Sequence, residues 1–443
     1  MNILPYHVST TNDLLTSRAG LVCIAQLMQS LGFSDWVDQH FPTPKSNRGY
    51  NPSVFVNALI LMLHEGGRCL DDLRHIREDD ALRTLLGLTQ VPESDSMGDW
   101  LRRHGKQGIL AVTEINRFLL KHTLHHLKKV TLDIDATLSA SKNQLAKWTY
   151  KKCTGYMPMV GHIAETGQVL ATDFREGNVP PSAKNLEFIH QCEAALPEGV
   201  RLFALRIDAA GYQSDIIDDC IERQLKFAIR VKMSAFLKKL IQNQRECQWQ
   251  PLTREGKSIE GEFTSHLVHT MEKSRHAFDV IVQRRMINGQ AALDLDLENE
   301  SNEGEELVQC GQYIYRAIAV SHDPNMSQSD WVHWYNQRGE TSENRIKELK
   351  EDFSADRMPC QNFEANALYF SLCALAFNLF ALLRMYLPAH FESCRAKTIR
   401  HRIYALAAKV VRHGRNIYLK LKASHCALLN EILLPLRRLA QAP

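Results

Sequence analysis

The sequence has no Cys-x-x-Cys pair and no paired Cys/His spacing, although it holds 11 cysteines and 19 histidines. A zinc site is therefore not expected, and the scattered thiols, with no signal peptide before them, suit a reduced cytosolic protein. There is no His-Glu-x-x-His segment, and the pair His125-His126 has no partner spacing to make it a metal site. No glycine-rich phosphate loop is present either, so the chemistry is not expected to need ATP. The apolar stretch Ala367 to Leu387 is interrupted by Ser371 and Asn378 and meets Arg384 near its end. It reads as a buried core helix, and no membrane partner is expected. No internal repeat and no low-complexity tract appears.

What is present is a chain of 443 residues, 44% hydrophobic and 23% charged, enough for several packed units. A formal net charge of +3 does not by itself indicate a nucleic-acid partner. Its distribution says more. From Arg384 to the C-terminus the only acidic residues are Glu392 and Glu431, set against a long series of lysines and arginines. The run from Asp294 to Glu306 is an acidic block, most simply a solvated loop away from any polyanion.

Periodicity divides the chain. Residues 1–127 read as short helices, among them Pro52 to Leu63 with a proline suited to a first turn. Such a domain fits DNA binding and fits a helical cap or dimerisation role equally. Residues 128–245 alternate strands and helices: strand Lys129 to Asp135, a hairpin of Tyr156 to Ala164 with Gln168 to Phe174, helix Ala183 to Ala195, strand Arg201 to Asp208, helix Ser214 to Arg223, and strand Phe227 to Val231. Residues 246–322 are rich in short strands, residues 323–385 return to helix, and 386–443 form a basic segment expected to be helical.

Two aspartates end strands, Asp135 in Asp133-Ile134-Asp135-Ala136-Thr137 and Asp208 in Arg206-Ile207-Asp208-Ala209. Asp133 shares a face with Asp135, because strand side chains repeat every two residues, and is its rival. A lone Asp after a strand commonly does no more than cap a turn. Further on stands Trp334-Tyr335-Asn336-Gln337-Arg338-Gly339-Glu340-Thr341-Ser342-Glu343, followed by Lys347 and Lys350. On a helix Glu343, Lys347 and Lys350 share one face, one carboxylate beside two ammonium groups, with the Tyr335 ring and the planar Arg338 fork upstream. That face suits a polyanion with a bound cation, and also suits an ordinary solvated helix.

The set Tyr335, Arg338, Glu343 and Lys350 resembles the Y-R-E-K box of bacterial insertion-sequence transposases, DDE enzymes with a ribonuclease-H-like core. Arg357-Met358-Pro359-Cys360 and Ala365-Asn366-Ala367-Leu368-Tyr369-Phe370 resemble the insertion sequence 1380 group. The commonest form of the box has three residues between Arg and Glu, whereas four stand here. The resemblance implies an α/β fold with a ribonuclease-H-like mixed-sheet core, an all-β insertion, an N-terminal helical domain and a helical C-terminal region. It implies Asp135, Asp208 and Glu343 as catalytic ligands of two Mg²⁺ ions, with Mn²⁺ as a substitute, and Tyr335, Arg338, Lys347 and Lys350 as DNA contacts. The partners it implies are double-stranded DNA, as terminal inverted repeats and target, and a second protomer in a synaptic homodimer in the bacterial cytosol and nucleoid. A metal-dependent nuclease of the same fold, or a transposase-derived DNA-binding protein without catalysis, are the alternatives.

Three further segments mix aromatic and basic groups. Trp148-Thr149-Tyr150-Lys151-Lys152 and Arg175-Glu176-Gly177-Asn178 suit backbone gripping and base stacking, or hairpin packing with solvated lysines. Trp249 could stack on a flipped base or fill a core.

Overall fold

The computed structural model describes residues 7–44, 49–287 and 308–439, so the acidic block from Asp294 to Glu306 lies outside the described residues. Two compact units divide the chain. The first is built from Met1–Asn116, Asn143–Leu145 and Glu348–Pro443, the second from Arg117–Lys142 and Ala146–Lys347.

In the first unit strand β1 (Leu14–Thr16) precedes helices α1 (Val22–Ser30), α2 (Phe33–His40) and α3 (Pro52–Glu65). Helix α4 (Ser94–Leu124) begins in this unit and breaks at Gly105, with φ 26° and ψ −115°. A side chain at Gly105 would sit 3.0 Å from Cβ of Glu364, in a backbone conformation L residues rarely adopt. The apolar stretch forms a helix from Phe363 to Arg384 in which every residue from Ala365 on is buried, as a core helix requires. Its start is fixed by Asn362, whose side chain accepts from the Ala365 amide at 2.8 Å. Against it His64 of α3 is fully enclosed, its Nε2 donating to the Ala376 carbonyl and its Nδ1 accepting from the Tyr404 hydroxyl, both at 3.1 Å.

The second unit is organised on a ten-stranded mixed sheet. Its strands are β2 (Lys129–Ala136), β3 (Met159–Ile163), β4 (Val169–Asp173), β5 (Arg201–Ile207), β6 (Lys226–Arg230), β7 (Gln250–Arg254), β8 (Lys257–His269), β9 (Phe278–Met286) and β10 (Tyr313–Val320), with Val308–Cys310 pairing β10. Across the sheet the order is β7-β8-β9-β10-β6-β5-β2-β3-β4. β2 is antiparallel to β3 and parallel to β5, and β5 is parallel to β6. Helices α5 (Asn185–Ala194) and α6 (Ser214–Glu222) cross over between β4, β5 and β6. The core packs Leu132, Ile134, Phe188, Leu205, Ile207, Ile216 and Phe227 together. Helix α7 (Gln328–Arg338) follows β10, started by a capping box of Ser327 with Asp330. The continuing helix α8 (Asn344–Asp352) carries the chain out of this unit, and Phe363–Arg384 is α9.

The strands expected in 246–322 form, and they extend the core sheet: β10 hydrogen-bonds to β6, with Ile318 opposite Arg230 and Val320 opposite Ala228. Pairing there removes an exposed strand edge from β6. The C-terminal segment is not wholly helical, because β11 (Ala408–His413) and β12 (Asn416–Lys420) make a hairpin on β1 before helix α10 (Ala423–Leu439). Its turn holds Gly414 at φ 60°. The β-branched pair Val410-Val411 and the run Ile417-Tyr418-Leu419 on either side of Gly414 carried that signal, beneath the run of cations.

Candidate active site at the ends of two parallel strands

β2 and β5 run side by side in parallel, with Asp133 opposite Arg206 and Ile134 opposite Ile207. Parallel register carries Asp135 and Asp208, the next residues on that face, to the same edge of the sheet. One step below them, Arg206 donates through Nε to Oδ1 of Asp133 at 2.7 Å and through a terminal nitrogen to Oδ2 at 2.8 Å. Both side chains are buried, Asp133 completely. A bidentate guanidinium takes up the Asp133 carboxylate, whereas the Asp135 side chain is 20% exposed. Arg206 also donates to the Trp334 carbonyl at 2.6 Å, which ties α7 to this edge of the sheet. Sequence reasoning missed Arg206. The signal was available, since Arg206 precedes Asp208 by the same two residues that separate Asp133 from Asp135.

Asp135 lies 3.4 Å from the Arg338 guanidinium, which also donates to the Ile134 carbonyl at 3.1 Å. Burial pushes the Asp135 carboxyl up to about 6; Arg338 and Lys151 pull it down, while the charges of Asp208 and Glu343 push it further up. Three acids from two strand ends and one helix therefore share one electrostatic neighbourhood. Arg338 works against burial too, and the surrounding Asp135, Asp208 and Asp133 charges hold its pKa above the usual range. Asp208 accepts from the Ala210 amide at 3.0 Å and caps the turn Ala209–Gly211, the role a lone Asp after a strand commonly takes, while adding its charge to the cluster.

Between α7 and α8 the chain makes a π turn, Gly339–Glu343. In an α-helix five residues advance about 500°, which would turn Glu343 roughly 140° away from Arg338. A π turn closes on i→i+5 and absorbs one extra residue. The fourth residue between Arg338 and Glu343 is thus accommodated locally, and Glu343 keeps its influence on Asp135. Glu343 and Lys347 are exposed, and Lys350 lies further along α8 in the part that belongs to the first unit.

Two proposed DNA contacts need correction. Tyr335 is 6% exposed, packed with Ile281, Ile318 and Val332 and stacked beneath Arg230 at 5.4 Å, so it is a core ring. Arg338 is buried against Asp135 and serves as counter-ion inside the site. Trp249 is also a core residue, with Arg284 held over its ring at 4.3 Å. Trp148 and Tyr150, by contrast, are exposed.

The donor set of Asp135, Asp208 and Glu343 is all carboxylate oxygen and suits a hard divalent cation such as Mg²⁺. Among the described residues no three His, Cys, Asp or Glu side chains stand close enough together to hold a metal ion, so the three carboxylates are not drawn together as a ligand set in the protein alone. Asp135 feels the negative charges of Asp208 and Glu343, with Arg338 supplying the internal positive charge.

Compared with known proteins, the chain matches none of the curated proteins. Among solved structures it is similar to a cryo-EM structure of the piggyBac transposase synaptic complex with hairpin DNA, at a TM-score of 0.44 and 12% identity, covering 87% of this chain and 79% of that one. A family model described as Transposase DDE domain group 1 matches residues 6–443, and the chain belongs to that family.

Proposed function

We propose that this chain is a DNA transposase of an insertion sequence, with the box of the insertion sequence 1380 group, that cleaves and joins DNA strands at terminal inverted repeats with divalent-metal assistance. The observation that carries the reading is the parallel register of β2 and β5, which brings the strand ends at Asp135 and Asp208 to one sheet edge, with the Gly339–Glu343 turn packed against β2. The order β4-β3-β2-β5-β6, with only β2, β5 and β6 mutually parallel, supports a ribonuclease-H-like core.

In this reading Asp135, Asp208 and Glu343 would hold two Mg²⁺ ions, which when bound stabilise the attacking and leaving oxygens of phosphodiester transfer. The chain's own groups do the rest. Arg338 balances the carboxylates in the protein alone, the Asp133–Arg206 pair fixes the two strand ends, and the exposed Lys347 meets the phosphate backbone. The basic C-terminal hairpin adds backbone contacts, and synapsis brings two protomers together in the bacterial cytosol. The test is incubation of the full chain with Mg²⁺ and DNA carrying the flanking terminal repeats. Nicked ends that become joined to a second duplex support the reading, cutting without joining indicates a nuclease, and binding without cutting indicates a DNA-binding derivative.

A further inference from the structure

Directly after β2 the chain builds a small three-stranded ribbon from Ser139–Ala140, Lys147–Trp148 and Thr154–Tyr156. The turn that joins its last two strands is tightly made: the Thr149 amide and hydroxyl both donate to the Cys153 carbonyl, at 2.8 and 2.9 Å, and Lys152 takes a left-handed conformation at φ 57°. Its base is fixed by Tyr156, which is fully buried against Phe174, and by Gly177, where a Cβ would lie 2.3 Å from the Gly155 carbonyl oxygen and 2.5 Å from that of Lys147. That close approach admits only glycine, so the segment after β4 braces the ribbon.

On this braced support Trp148 is 65% exposed and Tyr150 42% exposed, with the Lys151 ammonium 5.8 Å from the Tyr150 ring centroid. An indole left that open in water is unfavourable unless something covers it. The ribbon also begins three residues past Ala136, the last residue of β2, whose end carries Asp135. Two aromatic rings, four lysines at 142, 147, 151 and 152 and no acidic residue between Ser139 and Tyr156 make a surface for a nucleobase and its phosphate.

We propose that Trp148 and Tyr150 are a stacking platform for an unpaired nucleotide of the DNA strand led to Asp135, with Lys151 on its phosphate. The proposal rests on the DNA transposase reading and names the part of the substrate held at that site. Stacking on an aromatic side chain is worth ~1–3 kcal/mol per base, so losing one ring weakens binding between about fivefold and a hundredfold.

The experiment measures binding of the full-length Asp208→Asn chain, without divalent metal, to a fluorescent single-stranded oligonucleotide and to the same oligonucleotide carrying abasic sites. Adding Trp148→Ala should weaken binding to the intact strand by roughly tenfold and leave binding to the abasic strand unchanged. Trp148→Phe should restore most of the loss, which a folding defect would not allow. Equal binding of the intact strand with and without Trp148→Ala overturns the platform alone, since cleavage is not being read. An equal loss on intact and abasic strands also overturns it, because the ring would then act through the backbone or the fold. A chain carrying both aromatic residues that binds no DNA overturns the platform together with the reading it rests on.

Discussion

Asp133 and Arg206 form a bidentate ion pair, at 2.7 and 2.8 Å, one residue pair beneath Asp135 and Asp208 on neighbouring parallel strands. The floor of the proposed site is therefore a closed pair of opposite charges and its rim an open set of like charges. Removing one partner leaves the other buried and uncompensated, which costs about 3–5 kcal/mol. Asp133→Ala should lower unfolding free energy by about that much in urea, and Asp133→Leu with Arg206→Met should recover most of it. A loss below about 1 kcal/mol for Asp133→Ala would show that the pair does not hold the strands.

Stability should depend on pH through the half-buried Asp135 and two buried histidines, which act in opposite directions. Burial, first against the Arg338 and Lys151 cations and then aided by Asp208 and Glu343, raises Asp135 from 3.8 to about 6. That contribution is fully present below 3.8 and is lost as pH rises through 6; it amounts to roughly 3 kcal/mol. His64 and His162 are pushed by burial from 6.5 down to about 3. Their contribution is present above 6.5 and lost as pH falls toward 3, on the order of 5 kcal/mol each. The two histidines outweigh the one carboxyl, so the protein should be less stable at acidic pH than at neutral pH, and Asp135→Asn should steepen that acid loss. Chemical denaturation across this range checks both, and a wild-type optimum on the acid side would contradict the balance.

Divalent cations should stabilise the folded chain in proportion to their occupancy, since ligands that bind only the folded state raise the melting temperature. Mg²⁺ or Mn²⁺ at neutral pH is expected to raise Tm in the parent chain and to have little effect on Asp135→Asn or Asp208→Asn. The same shift in all three proteins would place the ion elsewhere.

The exposed half of the β11–β12 hairpin carries Arg412, Arg415 and Lys420, and among the described residues none of them is ion-paired. If these cations meet phosphates, replacing all three with Ala should reduce the slope of log affinity against log salt by roughly 3, at about 0.9 per contact on duplex DNA. An unchanged slope would assign the hairpin to another role.

Alternating apolar residues made the two aspartate-ended strands and their crossover helices legible, because a strand or helix declares its period within its own segment. Pairing between segments is not declared that way. Periodicity put Asp133 and Asp135 on one face and could not separate them; their surroundings differ because Arg206, 73 positions along the chain, pairs with Asp133. Tyr335 and Arg338 were read as DNA contacts from residue type, yet their environment is set by Ile281, Ile318 and Asp135 on other elements. The irregular spacing between Arg338 and Glu343 was visible in the sequence, and its physical resolution, a π turn, depends on backbone hydrogen bonds that no residue type there announces.

The central claim is that Asp135, Asp208 and Glu343 act together on a phosphodiester. Its most direct test is strand cleavage and joining on DNA bearing the terminal repeats, in Mg²⁺, by the parent chain and by Asp208→Asn and Glu343→Gln, with duplex binding measured on the same samples. The account predicts that each substitution abolishes cleavage and leaves DNA affinity within a few fold. Cleavage that persists in either variant would contradict it.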